Sequence, residues 1–344
     1  MKRKSAFGLC SLAACAGLAL STGAWATEGG GDTIGEGAEA FFAGALPPAG
    51  LYALLYYTHY HASRFNDSHG NGSVPGFKLD ADVLIPRVVW MSNLSVLGGR
   101  YGAYAVLPMQ HLSLDAGGAS FDRTNLGDLI VSPALIAWGS GALRTVAAIE
   151  FVFPTGQYDA HSALNTGKHY HTARPVFGVS WLPNDKVEVS AKITYSFNSP
   201  NNDTHYHSGN LFHVDYSASY AVTPKARVGL SGYFVKQTTD DMQNGQPVAG
   251  DGFRGQTFAI GPGFRYQFSK ISVEARVVKE FFVATGRPGR PCGRRPSSRS
   301  ELTAGSRLRA WRRRRGFGAS RNTASCVTAR APRDAGTAAM RSHG

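Results

Sequence analysis

Lys186-Val-Glu-Val-Ser-Ala-Lys-Ile-Thr-Tyr-Ser-Phe197 alternates without a break. Val187, Val189, Ala191, Ile193, Tyr195 and Phe197 fall in one row. Lys186, Glu188, Ser190, Lys192, Thr194 and Ser196 fall in the other. Successive side chains of a strand point to opposite faces, so this stretch has one apolar and one polar wall. The same period recurs over 212–222, 226–234, 256–268 and 271–277. No helical period of useful length competes with it.

Working outward, the alternation predicts eleven strands, at 50–61, 79–90, 99–109, 127–138, 143–153, 173–182, 186–197, 211–222, 226–236, 255–268 and 271–283. Most are about 10–13 residues long. That is near the roughly 9–11 residues of a tilted membrane strand and above the usual length in soluble sheets. Connections alternate short (91–98, 139–142, 183–185, 223–225, 269–270) with long and polar (62–78, 110–126, 154–172, 198–210, 237–254). Short periplasmic turns and long external loops characterise bacterial outer-membrane barrels. The expected fold is therefore all-β, an antiparallel transmembrane β-barrel of about twelve strands, with eleven recognisable and the last missing.

The ends carry different signals. Lys2, Arg3 and Lys4 precede an apolar run from Ala6 to Leu20, and Ala24-Trp25-Ala26 offers a small-residue cleavage site. Residues 1–26 read as a signal peptide, with export to the outer membrane. A retained anchor and a lipobox at Leu12–Cys15 are the competing readings. Residues 27–49 are expected to be an N-terminal periplasmic segment and 50–283 the barrel. The tail, 284–344, carries fifteen Arg, no Lys, and only Glu301 and Asp334 as acids. It accounts for the whole formal charge of +13, since residues 1–284 balance 21 basic against 21 acidic side chains. Its Pro, Gly and Arg do not suit a central strand, and it reads as frameshifted or disordered. A genuine basic tail for nucleic acid or anionic lipid is the alternative. The neutral body gives no reason to expect a nucleic-acid partner. Cys10, Cys15, Cys292 and Cys326 all lie outside the barrel region, so no disulfide framework is expected there.

Several short motifs follow one another through the body: Gly44-Ala-Leu-Pro-Pro-Ala-Gly-Leu-Tyr52, Asn125-Leu-Gly-Asp128, Pro154-Thr-Gly-Gln-Tyr-Asp159, Asn165-Thr-Gly167, Tyr195-Ser-Phe-Asn198, Asn201-Asn-Asp-Thr204, Ser208-Gly209, Asp240-Asp241 and Ile260-Gly-Pro262. In this the chain resembles the outer-membrane β-barrel family of meta-pathway phenol degradation proteins, over most of residues 44–283. The resemblance implies an aromatic-compound transporter-like barrel. Its loop residues here would be Asn125, Asp128, Pro154, Gly156, Tyr158, Asn165, Asn198, Thr204, Gly209 and Asp240. It also implies a further strand closing at an aromatic C-terminus, where this chain continues to Gly344.

On the polar rows, Asp80, Asp82, Glu150, Lys192, Arg227, Arg265, Glu274 and Arg276 are the candidates to line the lumen, where charge sets selectivity. Their mixed signs argue against strong ion selectivity. Three His-x-His pairs, His59/His61, His169/His171 and His205/His207, fall on the external side. Each places two imidazoles on one face of an extended segment, a chelating geometry for zinc or copper. The competing reading is a wet rim populated by His and Tyr. Tyr56, Tyr57, Tyr60, Trp90, Tyr101, Trp138, Trp181 and Tyr195 read as interfacial girdles. Ser162 beside His161, and Ser208 near His207 and Asp203, lack a nucleophile-elbow context, so no enzyme and no cofactor is expected. The expected function is a channel or facilitator for small hydrophobic, aromatic solutes, with outer-membrane lipid as the other partner. The alternative is a non-transport surface barrel, an adhesin or a metal-binding His-loop protein.

Overall fold

A computed structural model describes residues 28, 31–33, 35, 37–67, 71–250, 252–269 and 271–285, together with the strand residues 300–302, 324–326 and 329–332. The expected signal peptide lies outside the described residues. The strands are β1 (Gly50–Ala62), β2 (Lys78–Val96), β3 (Gly99–Val106), β4 (Met109–Ala116), β5 (Ala119–Leu126), β6 (Leu129–Ser140), β7 (Leu143–Phe153), β8 (Thr172–Trp181), β9 (Val187–Asn198), β10 (Tyr206–His207), β11 (Leu211–Ala221) and β12 (Ala226–Gln237). They continue with β13 (Met242–Gln243), β14 (Gln246–Pro247), β15 (Gly255–Gln267), β16 (Ser272–Arg276), β17 (Lys279–Thr285), β18 (Ser300–Leu302), β19 (Ala324–Cys326) and β20 (Ala329–Pro332).

Sequential antiparallel pairing builds the wall in the order β1, β2, β3, β6, β7, β8, β9, β11, β12, β15, with β16 and β17 following one another along β15. These are the eleven strands read from the alternation. The eleventh is split at Val277–Val278, opposite Pro262, which has no N–H for the ladder. β18 and β19 form a separate parallel pair.

Within the wall the polarity is inside out. On β9, Val189, Ile193 and Phe197 are 42%, 37% and 51% exposed, while Glu188 and Ser196 are fully buried. A soluble sandwich buries its apolar row. A barrel in lipid turns that row outward and keeps the polar row inside, which settles the question that alternation alone leaves open.

Two expectations about connections need correction. The 110–126 stretch is not a loop. β4 and β5 form a hairpin, and β4 continues the line of β3 along β2, with Lys78–Leu84 of β2 pairing to Asp115–Met109. The 91–98 connection is shorter than expected. β2 runs to Val96 and turns through Leu97 and Gly98, both at positive φ. Such a two-residue turn matches strand twist.

The seam between β1 and β16 is a third departure. Ala329–Pro332 of the Arg-rich tail pairs with Leu55–Tyr52, and Arg330 meets Ser272. A strand therefore occurs where none was expected. Four residues suffice because pairing uses backbone alone. The contact is short, so the described residues do not close the ring along its length.

Candidate functional site

Peptide groups that leave regular structure need partners wherever water is excluded. The segment from Glu28 to the start of β1 shows where such partners were built into the wall. Gly37 donates its backbone N–H to Asp215 Oδ1 at 2.8 Å, Phe42 to Glu188 Oε1 at 3.0 Å, and Phe41 to Glu274 Oε1 at 3.3 Å. Gly44 N–H reaches Ser180 Oγ at 2.9 Å, and Ser217 Oγ donates to the Ala40 carbonyl at 2.9 Å. Asp215, Glu188, Ser180 and Ser217 all belong to the buried polar rows of β8, β9 and β11. The segment thus runs inside the barrel. The expected periplasmic placement of 27–49 is corrected: wall carboxylates supply acceptors that no sequence period announces.

Phe42 lies under Arg227 and Arg265, with each guanidinium 4.9 Å from the ring centre. Gly44 presses on β8 so closely that a Cβ would sit 2.4 Å from the Val179 carbonyl carbon. Gly44→Val is expected to dislodge the segment, because backbone cannot move aside as a side-chain tip can. Limited proteolysis of the inserted protein should then cut within 28–48, and equal resistance to the intact chain would contradict this placement.

The segment divides the lumen. A cavity of about 450 Å³ lies on one side and one of about 100 Å³ on the other, and Ala38, Glu39, Tyr56, Arg87 and Lys192 line both. At this partition Glu39 pairs with Arg87, and Lys192 Nζ is 3.7 Å from its carboxylate. The larger cavity is two-faced. Tyr56, Tyr60, Leu79, Ala81, Val83, Ile85 and Leu112 give an apolar wall from β1, β2 and β4. Glu150, Arg174 and Lys192 face it from β7, β8 and β9. Arg174 Nη1 bonds Glu150 Oε2 at 2.8 Å, and the Tyr104 hydroxyl donates to Glu150 Oε1 at 2.6 Å. A cluster of Ala62, Phe65, Phe77, Leu112, Leu114 and Leu164 roofs the cavity.

Of the predicted lumen residues, Glu150 and Lys192 line the cavity, Arg265 and Glu274 line the smaller one, and Arg276 and Arg227 contact the segment. Asp80 and Asp82 do not face inward. Leu79, Ala81 and Val83 occupy the inner row, so the two acids stand outside with the residues registered opposite, His61 and His59. His59 Nδ1 is 2.8 Å from Asp82 Oδ1, and His61 pairs with Asp80. The Tyr57 hydroxyl also donates to Asp82, at 2.5 Å. Tyr56 and Tyr60 line the lumen, whereas Trp90 and Trp181 are exposed as girdle residues should be.

The histidine pairs do not converge. His169 stacks on Tyr158, ring centres 4.6 Å apart, with Asp203 at 3.2 Å, and His171 meets Phe153 edge-on. His207 Nε2 is 2.8 Å from the Asn198 carbonyl oxygen. His205 sits at a φ of 51°. Among the described residues no three His, Cys, Asp or Glu side chains form a metal-holding group.

The loop motifs carry another structure, which sequence reading missed. They form a cap that grips Glu28. Tyr158 and Thr204 hydroxyls donate to its Oε1 at 3.1 and 2.5 Å, Asn201 Nδ2 to Oε2 at 2.9 Å, and Glu28 N–H reaches Ser208 Oγ at 3.1 Å. Gly127, Gly156 and Gly167 meet so tightly that a Cβ on Gly156 would lie 2.7 Å from Gly167 Cα. Asp128, beside Gly127, accepts from Gly156 and Lys168 N–H, and burial raises its pKa. Asn125 bonds Gln157, and Pro154 leads into this turn from β7. Asn165 Oδ1 accepts from Asp159 N–H at 3.0 Å. Asn198 Nδ2 donates to the Gly209 carbonyl at 3.0 Å, and Asp240 pairs with Arg254 at 2.6 Å. The recurring Asn, Asp, Gly and Tyr of these motifs were the available signal, but Glu28, which Tyr158, Asn201, Thr204 and Ser208 share, lies outside every motif.

Asp241 anchors the other half of the cap, where β10, β13 and β14 form a small sheet. It accepts from Gly209 N–H at 2.7 Å, the Tyr206 hydroxyl at 2.6 Å and Gln237 Nε2 at 2.8 Å. Burial outweighs these bonds and pushes its carboxyl up to about 6, above the ordinary 3.8. Between those values the unfolded chain holds fewer protons than the folded one. The cap is therefore most stable below pH 4 with respect to this group and loses stability as pH rises through 6, by about 3 kcal/mol in all. Amide exchange at Gly209, corrected for intrinsic rates, is expected to show less protection at pH 7.5 than at pH 5. Asp241→Asn should remove that difference, and a pH-independent protection factor would refute it.

The family described as "Putative MetA-pathway of phenol degradation" matches residues 62–287. The chain belongs to this family. Among solved structures, an outer membrane channel from Pseudomonas putida F1 superposes with a TM-score of 0.65 at 16% identity, covering 84% of this chain and 96% of that one. At that identity the likeness establishes the fold alone, an outer-membrane β-barrel. The translocator domain of autotransporter NalP from Neisseria meningitidis (TM-score 0.42, 11% identity, 84% of this chain and 90% of that one) also matches. So does a Pseudomonas aeruginosa FadL homologue (0.35, 11%, 82% and 89%). No curated protein matches the sequence.

Proposed function

We propose that the chain is an outer-membrane conduit for small hydrophobic, aromatic solutes, held shut at rest by its own N-terminal segment. The observation that carries this reading is the two-faced cavity of about 450 Å³, with tyrosine and aliphatic side chains on one wall and fixed charges on the other. Ligand pockets have this size and mixture of apolar surface with few polar groups. The family's description, which names phenol degradation, supports an aromatic solute. A solute would enter from the external cap, lie against the β1–β2 wall, and pass when the segment moves. Export depends on the leader at 1–26, and cleavage after Ala26 would leave Glu28 one residue from the mature amino terminus.

Uptake of labelled phenol at low concentration is expected to fall in a strain lacking the gene and to recover on complementation. Equal uptake in the deleted and wild-type strains would defeat the transport reading.

A further inference from the structure

The segment that fills the lumen meets the wall through carboxylates at three points. Glu28 is held by Tyr158, Asn201 and Thr204. Asp32 interacts electrostatically with the half-buried Lys168 ammonium. Glu39 lies between Arg87 and Lys192 at the partition. Around the larger cavity the barrel wall and its loops contribute five basic side chains against three acidic ones. The segment's Asp32 and Glu39 make up the difference. Without the segment, the cavity would be net positive on one side and apolar on the other.

We propose that Glu39 occupies the site of a solute carboxylate, so that the preferred solute is an aromatic carboxylate that displaces Glu39 from Arg87 and Lys192. This deepens the conduit reading and rests on it. An arginine fork and an adjacent ammonium suit a carboxylate, and the Tyr56, Val83 and Ile85 surface suits a ring. Displacement by a neutral solute would take the carboxylate away from Arg87 and leave Lys192 with Glu150 alone, 4.0 Å away. Displacement by a carboxylate replaces one anion with another. The carboxylate therefore gains more from the open lumen than the neutral solute does, and a ligand shifts an equilibrium in proportion to that difference.

The test uses the full chain in planar bilayers, with benzoate, benzyl alcohol and acetate as probes. Benzoate is expected to raise the open fraction, with benzyl alcohol and acetate far weaker. Lys192→Gln is expected to raise the half-effective benzoate concentration about tenfold. Glu39→Gln should raise the open fraction with no probe present. The inference falls if benzyl alcohol opens the channel as well as benzoate, or if Lys192→Gln leaves the benzoate response where it was. It also falls if acetate matches benzoate, since charge alone would then suffice. Uptake by cells separates this from the parent reading. Channel-dependent entry of benzyl alcohol without benzoate entry overturns only the carboxylate assignment, whereas channel-independent entry of both overturns the conduit itself.

Discussion

An inserted protein lacking residues 28–42 is expected to carry a steady ion current at least roughly tenfold above that of the intact chain. Ala38 and Glu39 of the segment stand between the two cavities and line both, and Phe41 and Phe42 line the smaller one. Nothing else among the described residues lines both sides except wall side chains, Tyr56, Arg87 and Lys192. Deletion exposes Asp215, Glu188 and Glu274, which now accept hydrogen bonds from the segment. In a dry interior that loss would unfold the wall, since an unsatisfied buried group costs about 1–3 kcal/mol and more when charged. In a vacated lumen water takes over as donor, so the barrel is expected to persist while the pore opens. Currents from the deleted and intact chains recorded in the same bilayers check this. Indistinguishable currents would show that the obstruction lies elsewhere.

The second large effect concerns the seam. In the hydrocarbon region each unmet backbone group costs several kcal/mol. β1 has full pairing to β2, but among the described residues only Tyr52–Leu55 pair on its other edge, with β20, and only Ser272 of β16 pairs with that strand. We infer that the seam requires a longer strand than Ala329–Pro332, the part of it that the described residues among 284–344 supply. Replacing them with about ten residues of alternating apolar and polar character, ending in Phe, is expected to raise the heat-modifiable, folded fraction several-fold on refolding into lipid. Gel mobility before and after heating measures it. An unchanged folded fraction would show that the short β20 contact closes the seam adequately.

How far the sequence could be read follows from what each feature depends on. The strands were legible because each needs only its own two rows, as β9 and β11 show with nearly every residue in its expected row. The 110–126 hairpin was not legible, because Phe121, Thr124 and Leu126 stand in a polar stretch outside the membrane where lipid imposes no alternation. The cap was half legible. Its motif residues drew notice, but that Tyr158, Asn201 and Thr204 meet at Glu28 depends on loops separated by more than forty residues.

The amino-acid sequence by itself determined the wall: period two, strand length and alternating loops specify a membrane barrel and nearly all its strand boundaries. It determined which residues of a strand share a row. Only the tertiary structure decided which row faces in. Asp80 and Asp82 alternate with Leu79, Ala81 and Val83 as a lipid strand should, yet here the apolar row lines the cavity and the acids face outward beside His61 and His59. Alternation is a relative signal. Here the apolar row has a cavity to line and the acids have His61, His59 and Tyr57 to bond, so the polarity reverses. The N-terminal segment was likewise beyond sequence reading, because it has no period of its own and takes its path from carboxylates on strands more than a hundred residues away.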